Sequence, residues 1–408
     1  MKRILLVSAL MAVGTASFAQ KSTLNKVKMM LDEAMADKKA IKYDKIDDAW
    51  QQIQSCMQDP VTSVMGETYY TAGRIQAAYM TKMLNDRSTT GQMDMSKFFD
   101  NQYTLVDLFS KANKCDNTPD AKGKLKKAEE IEKNRLMYQQ IASGPRSNLV
   151  IAASNLATTD PERCIKFVTR FDETFDEPLF AGVNNPSLDT LRIDAYYFLA
   201  TAKKSLAKTS ADTTALIPIL EKALGSKTYG VMACSDLMTI YKQRDQMDKW
   251  LEIAEKGMAI DPGQKFFPKV LLEYYMNKHQ WDKMLGMCDI LKERFPDDDF
   301  AQYSKGVMYF QQNKFTDAVK AFKEAAEITG TNAEAWSSAG TSTWKLAMDN
   351  RNKVDVCTNY INEAIGYFKK AEEFAPDTPR LWGYFLYQAY TTLKKPAEAA
   401  KYKSYKDM

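Results

Sequence analysis

Apolar and polar residues alternate along this chain at helical intervals, and in its C-terminal part that pattern itself repeats. Tyr241, Tyr275 and Tyr309 recur at i, i+34 and i+68, and so do Met247, Trp281 and Phe315. Pro262, Pro296 and Gly330 keep the same interval. Between the second and third markers, apolar or small residues stand at i, i+4 and i+7. They are Trp250, Ala254 and Gly257, then Met284, Cys288 and Leu291, then Ala318, Phe322 and Ala325. That spacing places each trio on one helix face. Before each Tyr runs a second apolar-striped segment, and polar turns (QRDQ, NKHQ, QQNK) join the two. The pattern predicts two helices per period. A fixed period of this length marks an array in which each helix pair buries its apolar face on the next.

The unit resembles the tetratricopeptide repeat (TPR), whose pattern sets aromatic, small and Ala positions within a unit of about 34 residues. In the unit 299–332 the matches are Gly306, Tyr309, Phe315, Ala318, Phe322 and Ala325, with Gly330 replacing the usual Pro. Units 231–264 and 265–298 depart from it, with Met238 and Leu272 at the small position and Trp250 and Met284 at an Ala position. A fourth unit, 333–378, keeps Trp336, Gly340, Ala364, Phe368, Ala371 and Pro376 but overruns the period. In it Ala364 follows Gly340 at i+24, whereas Ala318 follows Gly306 at i+12. An extended loop or longer helices around 349–355 should absorb the excess. A last unit covers 379–408, with Tyr390 and Ala399 in register. Upstream, Ile46, Ala49, Ile53 and Cys56, then Tyr69 and Gly73, and later Leu216, Leu220 and Ala223 keep parts of the pattern. The resemblance implies an all-α fold, an α-solenoid of antiparallel helix hairpins wound as a TPR-like superhelix. The expected organisation is a leader at 1–19, divergent TPR-like helices at 20–145, divergent helical repeats at 146–230 and the TPR array at 231–408. Polar or Gly/Pro-bearing stretches at 85–97, 113–124 and 176–190 read as loops. A long charged helix is expected over 120–142, ended by Gly144-Pro145.

Residues 1–19 read as a secretory signal. Lys2 and Arg3 precede an apolar run, and Ser17-Phe18-Ala19 form a small-x-small cleavage site. No Cys follows that site to carry a lipid anchor, and no later run is long and apolar enough for a transmembrane segment. The expected location is the periplasm, with secretion as the alternative destination. The formal charge is only +4 and 45% of residues are hydrophobic. That balance excludes a disordered tail and a basic nucleic-acid binder. The six Cys show no CxxC and no close pair. They read as buried free thiols, with disulfides as the alternative that an oxidising compartment permits.

Candidate chemistry is sparse. The one His, His279, falls in a turn, so triads and His-based metal sites have nothing to build on. Gly225-Ser226-Lys227-Thr228 lacks the earlier Gly and the strand of a phosphate loop. Asp297-Asp298-Asp299 lacks the alternation of a Ca²⁺ loop and fits a helix start instead. The Lys-rich run 122–127, followed by Glu129, Glu130 and Glu132, reads as a solvated helix face. The expectation is therefore no enzyme, no catalytic residue, no cofactor and no metal.

What remains is surface. The resemblance places the first helix of each hairpin on an inner, concave wall. By register that wall carries Phe266, Lys269 and Glu273, then Phe300, Tyr303, Val307 and Phe310, then Trp344. The set at 300–310 is apolar where a solvated wall would be polar. It fits either a partner's helix or peptide, or packing within the chain. Some TPR domains grip a C-terminal carboxylate with Lys and Asn here, but Thr239, Glu273 and Val307 break that set. The expected function is a scaffold or adaptor of the bacterial envelope that holds a protein or peptide partner. The alternative is a periplasmic glycan or small-molecule binding protein.

Overall fold

The striped segments form helices, and each stripe is buried. The computed structural model describes residues 20–37, 41–120 and 123–407, and among these all regular secondary structure is helical. The leader assigned to 1–19 lies outside the described residues. The chain divides into two compact units, one ending at Ile240 and one starting at Tyr241.

The first unit holds α1 (20–34), α2 (Tyr43–Gln58), α3 (Gly66–Thr90), α4 (Met95–Asp116), α5 (Ala128–Leu156), α6 (Pro161–Glu173), α7 (Pro186–Leu206), α8 (Ser210–Thr214) and α9 (Ile217–Ala223). The division falls within α10 (Gly230–Gln243). Each of α2 to α6 packs on the next helix in the chain, and α5 also packs on α7. One core gathers Leu24, Val27, Leu31, Ile46, Ile53 and Ile75 from α1 to α3. A larger one gathers Phe109, Tyr138, Leu149, Phe167, Phe171 and Phe180.

Parts of all three stretches read as loops are helical, with 95–97 and 113–116 in α4 and 186–190 in α7, and the long helix read over 120–142 is displaced. Residues 85–90 belong to α3, which ends only at Gly91 with φ 73°. Their polar side chains are exposed, the Thr89 and Thr90 hydroxyls donate back to the Asn85 and Asp86 carbonyls, and the left-handed Gly91 is the stop. The helix read over 120–142 instead spans Ala128–Leu156 and runs straight through Gly144-Pro145. Pro145 gives no N–H to the helix, a loss worth about 3 kcal/mol. Burial of Tyr138, Ala142, Leu149, Val150 and Ala153 on both sides of it outweighs that loss.

The second unit is a run of antiparallel hairpins. Its helices are α11 (Met247–Ile260), α12 (Phe266–Asn277), α13 (Trp281–Arg294), α14 (Phe300–Gln311), α15 (Phe315–Thr329), α16 (Ala333–Asp349), α17 (Val354–Phe374), α18 (Gly383–Thr392) and α19 (Pro396–Lys401). Each packs on its successor. This is the TPR-type arrangement the repeating pattern implied. The excess length at 333–378 is absorbed by two longer helices, α16 and α17, of 17 and 21 residues.

Two recurring devices explain the period. The first is a glycine facing an aromatic ring. A Cβ at Gly306 would stand 2.5 Å from Phe322, and one at Gly340 2.7 Å from Phe368. In these two hairpins, α14 with α15 and α16 with α17, the helices approach closely because nothing projects there. The second is the turn. Asp245, His279, Asn313 and Lys394 all have φ between 53° and 58°. In each turn the next backbone N–H donates back to a Tyr carbonyl at 2.9 Å, from Gln246 to Tyr241, Gln280 to Tyr275, Lys314 to Tyr309 and Lys395 to Tyr390. This left-handed helix stop with a six-to-one bond fixes where each second helix starts. It also gives the lone His its place, at a turn tip against the Trp281 ring.

Candidate functional site

The first helices of successive hairpins are α12, α14 and α16, and side chains link them directly. From α12, Lys269 reaches Asp298 at 2.9 Å, and its ammonium lies 4.7 Å from the centre of the Phe300 ring. Lys265 joins the same carboxylate at 3.0 Å. Burial pushes the Asp298 pKa upward, but hydrogen bonds from Lys269 and Lys265 outweigh it and hold the carboxyl below its ordinary value. From α14, the Tyr303 ring packs on Phe322 at 5.3 Å between centres, and its hydroxyl is 3.5 Å from the Ser338 hydroxyl on α16.

Besides Lys269, the residues expected on this wall separate into two kinds. Tyr303, Val307 and Phe310 are half-buried against Ala318, Phe322 and Ala339, and Phe310 also meets Phe315 edge-on. Trp344 is half-buried against Ala347, Ile361 and Ala389. Phe300 is half-buried under Lys269. These five spend part of their apolar surface inside the unit. Phe266, by contrast, is 48% exposed, and Glu273 is exposed two turns further along α12. The structure thus brings Lys269 and Phe300 together, clusters Tyr303, Val307 and Phe310, and leaves Phe266 and Glu273 open.

Sequence reading missed Asp298 as a part of this surface. It read the Asp run as a helix start, whereas Asp298 is the anion that pins two lysines across adjacent hairpins. A 33-residue offset between Lys265 and Asp298, close to one repeat, was the available signal. A cavity of about 480 Å³ lies beside it, lined by Lys292, Asp298, Gln302, Glu324 and Glu327 among others. Among the described residues, no group of three His, Cys, Asp or Glu side chains could hold a metal ion. Nor is any described helix long and apolar enough to cross a membrane.

No family model and no curated protein matches the chain. Among solved structures it is similar to MamA, at 17% identity over 46% of this chain and 94% of that one, with a TM-score of 0.33. It is also similar to PilW, a widely conserved type IV pilus biogenesis factor, at 15% identity. That match covers 54% of this chain and 92% of PilW, with a TM-score of 0.34. Likeness at this level transfers no residue role to this chain.

Proposed function

We propose that this chain is a non-catalytic scaffold of the bacterial envelope, holding a protein or peptide partner on the first-helix face of its second unit. The observation that carries the reading is on α12. Phe266, Lys269 and Glu273 follow one another on one helix face; Glu273 is exposed, and Phe266, whose ring meets Phe267 edge-on, keeps 48% of its surface open. An exposed aromatic beside a fixed cation and a free-standing anion offers a partner segment one apolar anchor and two charges of opposite sign. The half-buried Tyr303, Val307 and Phe310 extend the apolar part along α14. The basic and apolar pattern of residues 2–13 supports export.

The test uses variants that spare the core. Phe266→Ser and Glu273→Lys change exposed positions, so circular dichroism and melting should match the wild type. Affinity capture from crosslinked envelopes should recover a defined protein with the wild type and lose it with the double variant. If the same protein is recovered equally by both, this face is not the binding surface. If a captured species is a glycan instead, the scaffold reading fails.

A further inference from the structure

In the first unit, Arg146 is buried to 1% exposure, the largest side chain so enclosed. It sits on α5 directly after Pro145. Its guanidinium carbon is 4.5 Å from the Phe175 ring centre, 4.6 Å from that of Phe180 and 5.8 Å from that of Phe171. Nε donates to the Thr174 hydroxyl at 2.6 Å, and Nη2 donates to the Asn184 amide oxygen at 2.9 Å. Nη1 has no hydrogen-bond partner. Both partners are neutral, so this buried cation has aromatic faces and dipoles around it but no counter-charge.

The neighbouring charges are already committed. Glu177 pairs with Arg170 at 2.6 Å, and Asp172 pairs with Arg192 at 2.6 Å. Asp189 is exposed on α7. Burial lowers the Arg146 pKa to about 10, with the Arg192 charge adding to the effect and Glu177 and Asp189 opposing it. The guanidinium therefore stays charged at neutral pH. A buried charge left without its partner is a costly arrangement that folding alone gives no reason to keep.

Arg146 also lines a cavity of about 520 Å³, the size range of small-molecule sites. Ser143, Ser147 and Asn184 supply polar wall, and Val183, Leu188 and Leu191 supply half-buried apolar wall. We propose that this cavity binds a small aliphatic monocarboxylate, whose carboxylate replaces the Asn184 amide oxygen on Arg146 and whose hydrocarbon body lies on Val183, Leu188 and Leu191. One uncompensated positive charge matches one carboxylate, not a phosphate dianion. A guanidinium edge takes a carboxylate through two parallel N–H donors, and here those are Nη2, now held by an amide, and the unpartnered Nη1. Asn184 is exposed on the loop before α7, held only by its bond from Arg146 and a long 3.5 Å bond from its Nδ2 to the Phe175 carbonyl, and these are the contacts the ligand displaces. This site is independent of the face on the second unit.

The test titrates the purified full chain with sodium 4-methylpentanoate by isothermal calorimetry. The parallel titrants are 4-methylpentanamide, sodium phosphate and sodium chloride at equal ionic strength. The carboxylate should bind saturably and the other three should not. Asn184→Asp ties a carboxylate to the same guanidinium. That variant should melt higher than the wild type and bind 4-methylpentanoate at least about tenfold more weakly, through occupancy of the site by its own charge. Arg146→Met should lose binding altogether, and if it fails to fold, Asn184→Asp still decides. Equal binding of the amide, equal binding of phosphate, or an unchanged affinity in Asn184→Asp would each overturn the proposal.

Discussion

The glycine–aromatic contact of the second unit predicts that one substitution, glycine to alanine, has opposite signs at two helical sites. At Gly306 an added Cβ would stand 2.5 Å from Cδ1, 2.6 Å from Cε1 and 2.8 Å from Cγ of Phe322. Carbon atoms pack best at about 3.5–4.0 Å, so the ring would have to withdraw by about 1 Å. It has nowhere to go, because Phe322 is buried and already faces the Tyr303 ring. Overpacking of this kind costs about 1–3 kcal/mol. Alanine's better helix propensity returns about 0.5–1 kcal/mol. Gly306→Ala should therefore destabilise α14 and α15, by up to about 2.5 kcal/mol. At Gly366 on α17, a Cβ meets nothing within 4 Å, so Gly366→Ala should stabilise by about 0.5–1 kcal/mol. Repeat arrays unfold in parts, so the assay is native-state hydrogen exchange resolved to each hairpin rather than a single melting curve. Adding Phe322→Leu to Gly306→Ala should cost less than the two separate losses combined. If both glycine variants stabilise their hairpins alike, the close approach of α14 and α15 is wrong.

Further outcomes follow from the turns, the ion pairs and the thiols. Lys394→Gly relieves left-handed backbone and should stabilise its hairpin by about 1 kcal/mol in native-state hydrogen exchange, Asn313→Gly by less because Asn tolerates that conformation, and no change at Lys394 would argue against that turn geometry. Because the Asp298 pKa is lowered in the folded chain, its ion pairs act fully above about pH 4 and fade as pH falls through the lower folded value. Asp298→Asn should therefore flatten the acid limb of stability against pH. A thiol reagent applied to the native chain should modify the half-buried Cys115 and Cys357 well before Cys56, Cys164, Cys234 and Cys288, all of which are buried. Burial also pushes the Cys164 thiol up to about 12 and the Cys288 thiol up to about 11, which lowers their thiolate fraction further.

The C-terminal hairpins were legible because each marker has a local physical cause. The small residue admits a ring, and the Tyr one turn later ends the helix with its own carbonyl. The insertion at 333–378 was legible in length but not in form, since helix and loop cost the same count of residues. The course of α5 was not legible, because Gly144-Pro145 is a stop signal that only tertiary burial overrides. At Tyr303, Val307, Phe310 and Trp344 the periodicity located the face, but spacing does not distinguish an open side chain from one packed on the next helix. Arg146 carried no signal at all. Its partners lie 28 and 38 residues away, at Thr174 and Asn184, and no motif joins them.

The central claim is that the α12 face, and not the second-helix side of the array, meets the partner. It is tested most directly by placing a photoreactive phenylalanine analogue at Phe266 or Glu273, and in separate cells at the exposed Lys323 on α15. After irradiation of intact cells, the account predicts one discrete higher-mass species from positions 266 and 273 and none from position 323. Crosslinks of equal yield at all three positions, or a discrete species from position 323 alone, would contradict it.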